Sequence, residues 1–234
     1  MRILVLTNYG MGLYKFRKEL LETLCKSNNV IIALPDSEYT ESLKNIGCEF
    51  IQFEFDRRGI NPISDFKQII RYKKLIKTIK PDVVLTYTIK PNVYGGIACR
   101  LTKTPYIVNV TGLGTSIKNG GVLGTISRVL YKVGLKKASC VFFQNKDNYM
   151  FFEKRRIFAG NACVIPGSGV NLDYHVPSEY PSEDDGIRFV FIGRIMRDKG
   201  IEELLESMKS IHNKYPYTSL DIIGGCDEDY EDVL

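Results

Sequence analysis

Apolar, β-branched runs alternate with amphipathic stretches from the first residues onward. RILVLT (2–7) is apolar along nearly its whole length, the pattern of a strand buried on both faces. LYKFRKELLETLCKS (13–27) then spaces its apolar positions as a helix does, and NVIIAL (29–34), closed by Pro35, predicts the next strand. A short helix around 37–46 ends at Gly47, CEFIQF reads as a strand, and Pro62 opens a basic helix, ISDFKQIIRYKKLIKTIK, which Pro81 stops. DVVLT, YIVNV, SCVFF and ACVI predict four further strands, and NVYGGIACRLTK, TISRVLYKVGLKK and KDNYMFFEK predict the helices among them. Strands joined by crossover helices imply an α/β fold with a parallel sheet of Rossmann-like type.

After Val170 the pattern lapses. NLDYHVPSEYPSEDDG has two prolines, an acidic run and no apolar period, so 1–170 reads as one domain and 171–186 as a linker. IRFVFIG, IEELLESMKSIHNKY and TSLDIIGG then give strand, helix and strand, and DEDYEDVL the first turn of another helix. Two strands cannot cover the faces and edges of a parallel sheet, so 187–234 is expected to be the start of an incomplete second domain in a longer protein.

Composition narrows the class. The 234 residues are 44% hydrophobic and 25% charged, an ordinary soluble balance. No apolar run approaches the ~18 residues of a membrane span, and the one at the start is too short for a secretory leader, so a cytoplasmic location is expected. Six scattered cysteines without a CxxC pair read as reduced thiols, and His175 and His212 lack metal-site spacing. The net charge of +5 hides an asymmetry: residues 181–234 carry 6 Lys+Arg against 13 Asp+Glu, leaving +12 on the rest. A basic surface of that size favours an anionic partner.

Four segments carry candidate chemistry, each with a plain structural reading beside it. TNYGMG (7–12) follows the first strand, and Gly10 and Gly12 would either admit an anion to a helix start or only turn the chain. YTIKPNVYGG (87–96) places Lys90 and Asn92 at a strand's carboxyl end, where ligands bind in open α/β sheets; Asn92 also suits a helix cap. VNVTGLGT (108–115) offers Asn109, Thr111 and Gly112 for sugar hydroxyls, or simply a glycine bend. FIGRIMRDKG (191–200) lets Gly193 turn sharply out of a strand and then delivers Arg194 and Lys199, which either grip phosphate or are solvated. The Asp227-x-Asp229 pair reads as a helix start favoured by the dipole rather than a metal site.

TNYGMG, VNVTGLG, IPGSGVN (165–171) and GRIMRDKG, in that order, resemble the retaining glycosyltransferases of family 4, which have the GT-B fold of two Rossmann-like domains. The last is the most specific, because the family's G-R-x-x-x-x-K-G pattern falls on Gly193, Arg194, Lys199 and Gly200. The resemblance implies transfer of a sugar from a nucleotide donor, usually a UDP-sugar, with retention of configuration and without a metal or other cofactor. Arg194 and Lys199 would be catalytic, gripping the donor's diphosphate with Gly10, Gly12, Gly193, Gly169 and Asn171. Lys90, Asn92, Asn109, Thr111 and Gly112 would face the acceptor. V-T-G-L-G and Y-T-x-K-P-N resemble the branch that extends lipid-linked oligosaccharides or capsular and O-antigen units, at the inner face of the cell membrane.

Two helices add to that picture: Phe66, Ile69, Ile70, Ile76 and Ile79 are expected on one face with Lys67, Arg71 and Lys74 opposite, and Arg128, Lys132 and Lys136 line one side of another. Either helix suits peripheral contact with an anionic membrane or an ordinary solvated face. Two departures stand out. No histidine lies near Thr111, and the family's acidic pair, separated by seven residues, would fall beyond Leu234. A truncated, non-catalytic binding module is the competing reading. A dinucleotide oxidoreductase lacks its third glycine, and nucleic-acid binding lacks any recognised module.

Overall fold

The computed structural model describes all residues except 36–37, 55–61, 114–116, 118–120, 181–185 and 227–234, and the side chain of Leu123. The chain forms two compact units, Met1–Asn171 and Leu172–Leu234.

The first unit is a seven-stranded, all-parallel sheet in the order β3-β2-β1-β4-β5-β6-β7. Its strands are β1 (Arg2–Leu6), β2 (Asn29–Leu34), β3 (Glu49–Gln52), β4 (Val83–Tyr87), β5 (Tyr106–Val110), β6 (Cys140–Phe143) and β7 (Ala162–Val164). After their first residues β1 and β2 are buried at every position, as continuous apolar strands covered on both faces must be. The crossovers are α1 (Gly10–Cys25), α2 (Thr40–Asn45), α3 (Pro62–Ile79), α4 (Gly96–Thr102), α5 (Gly121–Leu135) and α6 (Lys146–Lys154). Pro91–Gly95 forms a wider π turn that runs directly into α4. Leu4, Leu6, Tyr72, Val84, Tyr131 and Phe143 belong to the core on one side of the sheet, and Val5, Leu13, Leu21, Ile32 and Leu43 to the core on the other.

The chain winds outward from β1 to β3 and then returns to add β4 on β1's other side. The sheet therefore has its topological switch point between β1 and β4, where such folds open a crevice at the strands' carboxyl ends.

Three expectations change. Helix α1 begins at Gly10, so both glycines of TNYGMG lie inside its first turn. The apolar face assigned to α3 is split: Gln68, Tyr72, Ile76 and Ile79 are buried, whereas Phe66 and Ile70 are exposed with Ile63 on the far side. The cause is Tyr72, whose ring stacks on Phe53 at 4.9 Å and rotates the helix toward residues that look polar in sequence. Gly193 makes no sharp exit either, as the strand pairing below shows.

The second unit pairs β8 (Ile187–Ile192) with β9 (Thr218–Ile223) in parallel, joined by α7 (Ile201–Lys214). The ladder continues past β8: Gly193 N–H donates to Ile223 O at 3.0 Å and Ile195 N–H to Gly225 O at 3.0 Å. Glycine is required instead at Gly224, where a Cβ would lie 1.8 Å from the Gly193 carbonyl oxygen. Residues 227–234, with Asp227 and Asp229, lie outside the described residues.

Candidate functional site

A pocket of about 270 Å³ opens in the first unit at the switch point. Thr7 and Tyr9 reach it from the end of β1, Tyr87 and Thr88 from β4, Thr111 from β5, Gln144 from β6 and Ser168 from the turn after β7. The first two turns of α1 close it with Gly12, Leu13, Phe16 and Arg17.

Each wall has a local cause. Thr7 is 2% exposed and its Oγ1 accepts the Tyr9 N–H at 3.4 Å, which holds Tyr9 extended before α1 begins. A Cβ on Gly12 would meet Tyr9 Cδ1 at 2.7 Å, so this glycine lets the Tyr9 ring fold over the helix start. No side chain caps that start, and no acidic residue stands in its first turn. Gly167 (φ 76) and Gly169 (φ 78) both sit in the left-handed region, and the reversal they make carries Ser168 to the pocket.

Arg17 is the one charged residue among the described residues that line the pocket. Its Nη1 donates to Ser168 Oγ at 2.5 Å and to the Phe16 carbonyl at 2.6 Å, and its guanidinium carbon lies 5.4 Å from the Tyr87 ring centre. Gln144 Nε2 also donates to Ser168 Oγ, at 3.2 Å. Burial raises the Tyr87 phenol above its ordinary value, and the Arg17 charge pulls in the opposite direction. Thr88 has φ 69, a conformation that β-branched residues rarely adopt, and its buried hydroxyl has no hydrogen-bond partner among the described residues.

The predicted residues divide. Gly12 and Thr111 line the pocket. Gly10 is buried in the first turn of α1, and Gly112 stands beside Thr111 with nothing within 4 Å of where a Cβ would be. Asn92 neither caps a helix nor reaches the pocket. It is 1% exposed, and its Nδ2 donates to Asn109 O at 2.9 Å, while Asn109 Nδ2 reaches Thr86 O at 3.4 Å. The two asparagines thereby brace the π turn against β5 and β4. Lys90 Nζ lies 3.5 Å from Asp65 Oδ1 with both side chains largely buried. Burial, and then Asp65, hold the neighbouring Tyr94 phenol well above its ordinary value. Asn171 Nδ2 donates to Glu19 Oε1 of α1 at 3.2 Å.

In the second unit Arg194 is exposed just past β8, and Lys199 is exposed in a 3₁₀ turn, Arg197–Lys199, before α7. Gly200 (φ 72) ends that turn and lets α7 start. Among the described residues neither cation has a carboxylate within ion-pair distance, while Arg188 and Arg197 lie 3.9 Å from Asp221 and Glu202 respectively.

Sequence reasoning missed Arg17, Thr88, Gln144 and Ser168. Ser168 had a readable signal, a serine between two glycines. Arg17 had none, being one basic residue in a basic helix.

The model of the glycosyl transferase 4-like family matches residues 2–145. An N,N'-diacetylbacillosaminyl-diphospho-undecaprenol α-1,3-N-acetylgalactosaminyltransferase of Campylobacter jejuni is 28% identical over 97% of this chain and 64% of its own length. A UDP-Gal:α-D-GlcNAc-diphosphoundecaprenol α-1,3-galactosyltransferase of Escherichia coli is 28% identical over 71% of this chain and 46% of its own. The chain thus spans less than two thirds of these relatives. The crystal structure of Anabaena Alr3699/HepE in complex with UDP and glucose superposes with a TM-score of 0.72 at 15% identity, covering 99% of this chain and 63% of that one. Sucrose-phosphate synthase of Thermosynechococcus elongatus gives 0.68 at 17% identity, over 98% of this chain and 63% of that one. At those identities the likeness shows the fold alone, which is α/β of the GT-B class. The family match covers more than half the chain, and the chain belongs to the glycosyl transferase 4-like family.

Proposed function

We propose that this chain is part of a glycosyltransferase that moves a sugar from a nucleotide donor, a UDP-sugar, to a lipid-linked acceptor with retention of configuration, in cell-surface polysaccharide biosynthesis. The acceptor class is supported by the names of the two relatives, both of which act on sugars linked through a diphosphate to undecaprenol. The E. coli relative's name also specifies a UDP-sugar donor.

One observation carries the donor reading. Arg194 and Lys199 follow a strand's carboxyl end as exposed cations, without carboxylate partners among the described residues. As the glycosidic bond to the diphosphate breaks, negative charge grows on the departing phosphate oxygen. Fixed cations at that oxygen stabilise the transition state, and a metal is not needed for that role. By analogy with loss of a single oxyanion donor, removing either cation costs about 3 kcal/mol in the transition state. Titration of UDP into wild type and Arg194→Ala tests the assignment. At least a tenfold loss of affinity is expected, and equal affinity removes the diphosphate role.

The unit with the pocket would take the acceptor, and membrane contact would bring the lipid within reach. Helix α5 supports that contact. Val122, Ile126, Val129 and Val133 are 77%, 39%, 56% and 40% exposed, spaced as one stripe, with Lys132 and Lys136 beside it.

A further inference from the structure

The pocket at the switch point has a polar inventory that a neutral sugar does not require. Among the described residues its lining holds one cation, Arg17, and no carboxylate. Among the described residues no carboxylate pairs with that guanidinium, which instead meets the Ser168 hydroxyl, the Phe16 carbonyl and the ring and phenol of Tyr87.

The hydroxyls beside it are set to donate. A serine oxygen has two acceptor positions and one O–H. Arg17 and Gln144 both donate to Ser168 Oγ, so both positions are filled and the O–H must find an acceptor elsewhere. Thr88 Oγ1 is buried without a hydrogen-bond partner among the described residues, on a backbone held at φ 69. Strain and a polar group without a partner at one residue are features that gather at ligand-binding sites. Thr111 adds another hydroxyl at the rim, and the Tyr9 and Phe16 rings supply apolar walls of the kind that pack against a pyranose face.

A fixed guanidinium with convergent O–H donors and no competing carboxylate suits a phosphate ester, since the planar fork and the hydroxyls can each meet a separate oxygen. We propose that this pocket binds the phosphorylated reducing end of the acceptor, with Arg17 as the residue that selects a sugar 1-phosphate over the unphosphorylated sugar. The inference deepens the glycosyltransferase reading and relies on it for calling the ligand an acceptor.

The test is calorimetric titration of the full chain with four probes: N-acetylglucosamine 1-phosphate, N-acetylglucosamine, glucuronate and UDP. Wild type, Arg17→Gln, Arg17→Lys and Arg194→Ala are compared, each checked for folding by its circular dichroism spectrum. The sugar phosphate should bind wild type at least tenfold more tightly than the free sugar or glucuronate. Arg17→Gln should abolish that preference, Arg17→Lys should keep part of it, and Arg194→Ala should leave it intact. UDP should respond to Arg194→Ala and not to Arg17→Gln.

Equal affinity for phosphorylated and free sugar overturns the proposal, as does a preference that survives Arg17→Gln. Loss of UDP affinity in Arg17→Gln with no change for the sugar phosphate also overturns it, by assigning Arg17 to the donor. Should UDP fail to bind any variant while the Arg17-dependent preference persists, the donor reading falls and the phosphate site stands.

Discussion

Thr88 sets a cost against a use. A β-branched residue at φ 69 is strained by roughly 1–2 kcal/mol, and among the described residues its buried hydroxyl lacks a partner. Thr88→Gly removes both burdens and adds back some unfolded-state entropy, so it should stabilise the chain by up to about 1 kcal/mol. The thermal midpoint should therefore rise by ~2–4 °C while affinity for N-acetylglucosamine 1-phosphate falls. A lower midpoint would mean that the conformation is not strained. Thiols give a second test. Burial pushes Cys48 and Cys99 up to about 12, helped at Cys48 by Cys25 Sγ at 3.6 Å. A thiol raised in the folded state contributes its stability in full below its unfolded pKa, ~8.5, and loses it as pH climbs through the folded value. Denaturant midpoints should thus fall between about pH 9 and 12, and at pH 8 iodoacetamide should label exposed Cys163 and Cys226 while sparing Cys48 and Cys99. Early labelling of Cys48 would contradict its burial. Neither residue-scale feature was legible in sequence, because a φ angle and a missing partner depend on what the fold brings alongside.

Elements were legible where periodicity and punctuation agreed. The seven strands of the first unit and KDNYMFFEK as α6 follow from apolar runs, helical spacing and proline stops; the structure adds the cap of α6, where Asn145 Oδ1 accepts the Asn148 N–H at 2.8 Å. The orientation of α3 was not legible, because a tyrosine and a glutamine supply its core face. A packing contact between elements was equally hidden. A Cβ on Gly134 of α5 would lie 2.7 Å from Val93 Cα and 2.9 Å from its carbonyl oxygen, and one on Gly96 would lie 2.4 Å from Gly134 O. Two glycines thus let α5 press its backbone onto the π turn and α4, and Tyr106 Oη fastens the contact by donating to Gly134 O at 2.7 Å. Backbone cannot yield as a flexible side chain does, so Gly134→Ala should destabilise by about 2–3 kcal/mol. A drop of roughly 4–12 °C in thermal midpoint is the expected reading, and an unchanged midpoint would show that α5 is loosely seated.

At the scale of the whole chain, residues 1–180 carry a formal charge of +12 and 181–234 carry −7. No helix among the described residues is long and apolar enough to cross a membrane. Sequence showed the lysines of α5 but not that its valines face solvent beside them. Val129 is 56% exposed, and inserting it into an acyl boundary gains on the order of 1 kcal/mol, similar to the gain from each lysine near an anionic leaflet. The two contributions are separable by vesicle sedimentation. Wild type should bind vesicles containing phosphatidylglycerol and bind weakly to phosphatidylcholine alone, with affinity falling as salt rises. Lys132→Glu should weaken binding about tenfold, since it removes one attraction and adds a repulsion, and should flatten the salt dependence. Val129→Ser should weaken binding about fivefold and leave the salt dependence unchanged, because it alters apolar insertion alone. Binding that is indifferent to lipid charge, or that survives both substitutions, would move the docking face off α5 and leave its valine stripe an ordinary exposed surface.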